Sequence, residues 1–470
     1  MFQNVRRALP LMALAALHAL APQTAAAAAA RVYSEETARD SPAWVHDGIV
    51  YEIFPRNFSA QGNLAGVTAQ LDRLQQLGVN ILWLMPIHPT GKLKSKGTFG
   101  SPYAVRDYYA INPEYGTAAD LHRLVGEAHR RNFKVIIDVV ANHTAWDSVL
   151  MQHPEFYEHD AGGRIVPPQP DWADVAHLQY TKAGVPNLAL RAYMRDMLVH
   201  WIKDFDLDGF RCDAAARVPA DFWEDARAAL AKVKPDILML AESDSPELLL
   251  KAFDVDYAWS LYEQLAEAIQ GRQPASVVRD AWSTANAAYP HGALRLRFAD
   301  NHDERRALAR FGEPAVLAAS ALMLTLDGVP LIYNGMEVGD TAESAAPALF
   351  EKLPVFWPSA ELRPQFPVFF QQLIALRKAH PALRSGEVQW LHNNDESRVL
   401  TFARRGSGEN LLVAINLSSV PFAGLVAVAD GQYEDITPAP AASHAAVDRA
   451  LPLPALSLGA WQYKVLRTRE

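Results

Sequence analysis

From residue 45 onward, short continuous apolar runs alternate with stretches whose apolar residues recur at helical spacing. Ile49 to Phe54 is the first strand-like run. Leu64, Val67, Leu71, Leu74 and Leu77 then mark one helical face, and Gly78 stands where a helix stops. Ile81 to Pro86 is a second run, and Thr117 with Asp120 forms a capping pair that opens the next helix. Val135 to Ile137 is a third strand, ending near Asp138. The alternation continues through Gly209–Cys212, Ile237–Ala241, Leu294–Phe298 and Pro330–Tyr333. Continuous apolar strands between helices predict a parallel sheet covered on both faces. About eight such units predict a closed (β/α)₈ barrel, the TIM-barrel class of α/β fold. An open doubly wound sheet would show a glycine-rich phosphate loop after an early strand, and none is present.

Two stretches break the alternation. Thr144 to about Leu188 is rich in Pro, Asp, His and Trp and lacks periodicity. It leaves the end of the third strand, the face on which barrel enzymes keep their sites, and reads as a small inserted subdomain. Gly339 to about Pro364 is a second long loop, after the last barrel strand, and forms the other wall of the expected cleft. Phe369, Leu373 and Leu376 mark a final helix, ended by Pro381. Beyond Ser385 the pattern becomes that of short strands, with Val399–Phe402, Leu411–Ile415 and Trp461–Val465 the clearest. This predicts a C-terminal antiparallel β-sandwich over 385–470, after a barrel spanning 31–384 with residues 144–188 inserted.

Composition changes the picture in three respects. The chain has 470 residues, enough for more than one core, and half are hydrophobic. The net charge of −9, with no basic run, argues against nucleic acid as a partner. At the N-terminus, Arg6 and Arg7 precede an apolar stretch to about Ala21, followed by small residues. Residues 1–30 thus read as a signal peptide, implying export to the periplasm or medium and no membrane span in the mature chain. An alanine-rich tail is the alternative. Cys212 is the single cysteine, so no internal disulfide forms. The oligomeric state has no sequence signal.

Three acidic signatures carry the chemistry: GFRCDAAAR (Gly209 to Arg217), LMLAESD (Leu238 to Asp244) and ADNHDERR (Ala299 to Arg306). Each places a carboxylate, Asp213, Glu242 or Asp303, where a strand meets a loop. A lone acid at a strand end is most often a cap or ion-pair partner. Three of them, flanked by Arg211, His143 and His302, suit a site that works on a glycosidic bond. Side chains alternate faces along a strand, so Arg211 and Asp213 point the same way. The guanidinium is expected to hold Asp213 ionised, as a nucleophile requires. Neighbouring strands about 4.8 Å apart place Asp213 and Glu242 at the ~5–5.5 Å separation of retaining glycosidases. Glu242, between Asp213 and Asp303, is expected to keep a proton and act as acid and base. His143 and His302 are candidate donors to sugar hydroxyls. A metal site is the rival reading, but the histidines lack ligand spacing, so no metal or cofactor is expected to be required. Tyr103, in a polar turn, is a candidate stacking platform, and Trp146 and Trp172 are candidate outer platforms or local core.

These residues together resemble glycoside hydrolase family 13, the α-amylase family, over about residues 45 to 470. DVVANH (Asp138 to His143) is similar to that family's third-strand motif, and GFRCD to its nucleophile strand, with Asp213 in the nucleophile place and Arg211 in the arginine place. LAES carries Glu242 in the acid/base place. DNHD carries His302 and, in the transition-state-stabilising place, Asp303. SPYAVRDYYAINPEYGT resembles the segment whose tyrosine, here Tyr103, stacks on the sugar. GIVYEIFPRNFS resembles that family's first barrel strand, and GVPLIYNGMEVG its eighth. The resemblance implies retaining hydrolysis of α-1,4 bonds in starch or maltodextrins. It also implies a structural calcium. Many members carry Lys-His three and four residues after the nucleophile, the histidine belonging to the calcium site, whereas this chain has Ala216 and Arg217. An arginine offers calcium no acceptor. Asn142 and an acid near the usual position, Asp174, are retained, yet the substitution argues against the ion. Transglycosylation or sugar isomerisation on the same intermediate, and a noncatalytic glucan-binding protein, are the competing readings.

Overall fold

The structure is a computed structural model that describes residues 31–342, 348–438 and 450–469. The expected signal peptide lies outside the described residues. Eight parallel strands close into a barrel: Val50–Ile53, Ile81–Leu84, Lys134–Val140, Gly209–Asp213, Leu238–Ala241, Val255–Tyr257, Leu294–Arg297 and Val329–Tyr333. They follow one another around the barrel in chain order, and the eighth pairs with the first. Seven correspond to the apolar runs of the sequence. The sixth, Val255–Tyr257, does not. It has only three residues, and its centre is a fully buried acid, Asp256, so no apolar run announces it.

The helices follow their sequence signals. Leu64–Thr68 and Leu71–Leu77 bury the predicted apolar face, and Gly78 ends the second with a left-handed φ of 98°. Thr117 and Asp120 cap Ala118–Arg130 reciprocally, each side chain accepting a hydrogen bond from the other's backbone. The helix Gln365–Ala379 buries Leu373 and Leu376 and stops just before Pro381.

Inside the barrel the period of two sorts side chains by height. Val50, Ile81, Ile136, Leu238, Val255 and Val329 fill the base as one apolar cluster with Trp83, Leu240, Tyr257, Leu296 and Leu331. Two residues further along their strands, Glu52 and Asp138 occupy inward positions at the mouth, both fully buried. In the register between the third and fourth strands Asp138 pairs with Arg211. Between the fourth and fifth, Cys212 pairs with Ala241. One step further sets Asp213 beside Glu242.

The segment after the third strand folds as a small irregular unit. His143–Ala145 pairs antiparallel with Val175–His177, and Thr181–Lys182 with Val185–Pro186, before the helix Leu188–Phe205 begins. The C-terminal region is a six-stranded antiparallel-paired sheet plus a two-stranded sheet, Phe422–Leu425 with Ala455–Leu458. Leu411, Val413 and Ile415 face the barrel side, while Leu412 and Ala414 pack with Phe422, Leu456 and Leu458 of the smaller sheet. The fully buried Arg404 ties this region down, donating to the carbonyls of Thr325, Leu383 and Gly386.

Gly209 opens the fourth strand with φ +149°, and a Cβ there would lie 1.9 Å from the Leu238 carbonyl oxygen. Gly209→Ala is therefore expected to destabilise the chain by about 1–3 kcal/mol. An unchanged denaturant midpoint would refute this close approach.

Candidate active site

Asp213, Glu242 and Asp303 line one cavity of about 330 Å³ at the C-terminal mouth of the barrel, with Tyr103, His143 and Trp172 around them. The inserted segment contributes Trp172 and Asp174, and the loop after the eighth strand contributes Leu349 and Phe350. The two long connections thus form opposite walls. Trp146 does not line the cavity. Its ring lies under Lys94 Nζ, and its Nε1 donates to the Ala173 carbonyl.

Arg211 organises the acids from behind. It is fully buried, and its Nη1 donates to both oxygens of Asp138 and to Asp213 Oδ1, each at 3.1 Å. Its Nη2 lies 3.0 Å from Glu242 Oε2, an ion-pair distance without hydrogen-bond alignment. Two adjacent nitrogens of one guanidinium therefore hold Asp213 and Glu242, which fits the short separation of retaining enzymes. The turn after Asp213 adds a further contact. Ala214 takes a left-handed φ of 44°, and its N–H donates to Glu242 Oε2 at 2.7 Å. Such a conformation is costly for a residue with a Cβ, and here it aims a donor at the acid.

The charge balance differs from the expectation at Asp213. Burial, and then the Glu242 carboxylate, push Asp213 well above the usual range, and Arg211 only partly offsets them. Burial is the larger cause, and one guanidinium facing three carboxylates does not cancel it. Asp303 goes the other way. Burial alone would raise it, but His302 holds it below the usual carboxylate range.

His302 and Arg211 stand directly behind the residues that line the cavity. His302 is 1% exposed. Its Nδ1 meets Glu52 Oε1, and its Nε2 lies 2.6 Å from the Tyr103 hydroxyl and 3.1 Å from Asp303 Oδ2. Burial opposes charge on this ring, but Asp303 and Glu52 raise its pKa well above the ordinary value, so it is an imidazolium donating from both nitrogens. The Tyr103 hydroxyl donates onward to Asp138 at 3.0 Å, and the Tyr103 ring stacks on His302 with centroids 5.3 Å apart. His143 is different. Burial, and then His177, pull it down to about 3, so it is neutral and faces the cavity with Asn142 Nδ2 donating to its Nδ1.

Glu52 was missed by reading the sequence, and Asp138 was quoted in a motif without a role. Glu52 carries a signal: it is the single charged residue inside an otherwise apolar run, and a buried acid needs a partner. Tyr257, which accepts from Arg211 Nε at 3.2 Å, sits on the strand that gave no apolar signal.

The residues do not fit a structural calcium. That ion takes six to eight oxygens, several from carboxylates. Asp174 is instead paired with Lys96 Nζ at 2.7 Å, and Arg217 lies over the Trp172 ring at 5.2 Å. Asn142 Oδ1 is a buried acceptor without a partner, but one amide oxygen is not a calcium donor set. Among the described residues no group of three or more His, Cys, Asp or Glu is placed to hold a metal.

Comparison with known proteins places this constellation. Residues 49–160 and 171–357 match the family described as alpha amylase, catalytic domain. An alpha-amylase from Lactobacillus plantarum has a crystal structure that is 32% identical, with a TM-score of 0.79 over 90% of this chain and 99% of that one. A noncanonic maltogenic alpha-amylase from Thermotoga neapolitana is 28% identical, with a TM-score of 0.81 over 91% and 99%. Among curated relatives, an alpha-amylase of Haloarcula japonica is 28% identical over 83% of this chain, which spans 58% of that relative's length. The chain belongs to the alpha-amylase family.

Because Glu52 helps keep His302 charged, Glu52→Gln should lower the pKa of His302. A raised histidine contributes its charged form fully at low pH and loses it as pH rises through the folded value. The alkaline limb of kcat/KM is thus expected to move to lower pH in Glu52→Gln. An unmoved limb would refute the role of Glu52.

Proposed function

We propose that this chain is a retaining hydrolase of α-1,4-glucosidic bonds in starch or maltodextrins. The observation that carries the reading is the sharing of Arg211 by Asp213 and Glu242 at one cavity, with Asp303 beside them. The reaction requires Glu242 to carry a proton and Asp213 to be ionised against Arg211. Asp213 attacks the anomeric carbon as Glu242 protonates the leaving glycosidic oxygen, forming a covalent glycosyl-enzyme. Glu242, now a carboxylate, takes a proton from water as the water oxygen attacks the anomeric carbon and breaks its bond to Asp213, releasing the sugar with its original anomeric form. Asp303, held ionised by His302, lies where positive charge develops on the sugar ring. Tyr103 and the neutral His143 position the ring at the reacting centre.

The related proteins support this substrate class, since their names include alpha-amylase, maltogenic amylase and cyclomaltodextrinase. The catalytic step needs no metal in this scheme. Export rests on the N-terminal segment with Arg6 and Arg7 before its apolar run, and the mass of the mature protein recovered outside the cytoplasm tests it.

Incubation with starch and maltotriose, with the anomeric form of the products followed by NMR, tests the reaction. α-Anomers of shorter glucans are expected. Trehalose, or oligosaccharides longer than the substrate as main products, would overturn plain hydrolysis. Asp213→Asn is expected to lower kcat by about 10⁴-fold or more, and Glu242→Gln by about 10²–10⁴-fold. Undiminished cleavage by Asp213→Asn would remove it as nucleophile. A calcium chelator is expected to leave the melting temperature and the hydrolysis rate unchanged. A fall in either that calcium restores would show that the ion binds after all.

A further inference from the structure

A second cavity, of about 320 Å³, opens at the opposite end of the barrel. It lies where the seventh and eighth strands begin, at Leu294 and Gly328, and against the Arg384–Gly386 link to the C-terminal sheet. Three guanidiniums line it: Arg295, Arg297 and Arg384. Two more stand close behind. Arg377 and Arg404 are fully buried and donate only to carbonyls, those of Leu324, Leu326 and Gly328 and those of Thr325, Leu383 and Gly386.

Among the described residues, three carboxylates bond these five cations. Asp256 pairs with Arg295, Asp327 with Arg297 at 2.9 Å, and Asp47 with Arg384 at 2.9 Å. Burial pushes Asp256 up to about 7, which weakens even that neutralisation. The cluster is therefore cationic, within a chain whose net charge is −9. Its mutual repulsion is felt: burial first, then Arg404, Arg384 and Arg297, bring Arg377 down to about 9.

The lining arginines also keep donors in reserve. The ion pairs and backbone contacts use Nε and Nη2 of Arg295 and of Arg297, and Nη1 of Arg384. Arg384 Nε is buried without an acceptor. Forked N–H groups from several guanidiniums around one cavity are suited to a tetrahedral oxyanion, which accepts from each.

We propose that this cavity binds a phosphate dianion, free or carried by a small sugar. Asp327 is the one acid on its wall, and both Arg297 and Trp282 Nε1 already donate to its Oδ1. That leaves the Arg384 and Arg295 side for the ligand. Bound there, the anion would offset the excess charge and bridge the barrel base to the link into the C-terminal sheet. The site is separate from the catalytic cavity and does not depend on the proposed reaction.

Titration calorimetry of the whole protein at fixed ionic strength in sodium chloride tests the proposal, with inorganic phosphate in one arm and glucose 6-phosphate in the other. Saturable binding near one per chain is expected. Tighter binding of glucose 6-phosphate would identify a phosphorylated sugar as occupant, and equal or weaker binding would identify free phosphate. Arg384→Gln is expected to weaken the preferred ligand about tenfold or more. Ala285→Glu, which adds an acid to the cavity wall from a helix and leaves every arginine in place, is expected to do the same. Hydrolysis of starch without the ligand should match the parent in both variants. No saturable binding of either probe, or wild-type affinity in both variants, would overturn the site.

Discussion

The catalytic end of this molecule is governed by one buried cation that faces too many anions. Arg211 has no exposure to solvent and meets Asp138, Asp213 and Glu242 through its two terminal nitrogens. It cannot release its proton, so its charge is constant. The carboxylates must therefore adjust, and burial together with the neighbouring Glu242 pushes Asp213 well above the usual carboxylate range. Removing the arginine would leave two buried carboxylates and one part-buried one without their main counterion, a far larger cost than the loss of one surface pair.

A second layer supports the first. Glu52 and Asp303 flank the His302 ring and keep it charged, while Tyr103 links that ring to Asp138. The chain of contacts runs from the first strand to the third across the barrel mouth. Its members are nearly all buried, so their protonation is coupled to one another more strongly than to solvent. Asp303 and Tyr103 reach the cavity, and Asp303 carries the effect of the buried ring to the place where a sugar would bind.

The two ends of the barrel have opposite electrical characters. The C-terminal mouth concentrates acids around one arginine, and the N-terminal end concentrates arginines around few acids. Between them lies an apolar plug of Val, Ile and Leu side chains with Trp83 and Tyr257. The plug keeps water and counterions from crossing, so each end keeps its own field.

Much of this was legible along the chain. Seven of the barrel strands, the reciprocal cap at Thr117 and Asp120, and the final helix all rest on local patterns of period two or 3.6 and on local hydrogen bonds. The three acids were legible too, because each interrupts an apolar strand end where burial of a charge demands a reason. The three-residue sixth strand was not, since its buried Asp256 is balanced by Arg295, a partner on the neighbouring strand. The charge states of Asp213 and His302 and the sharing of Arg211 were likewise decided by the tertiary structure. Periodicity states which side chains point inward. How many of them crowd around one guanidinium, and how far water is excluded from them, depends on barrel closure and register, and electrostatic energies depend on those distances.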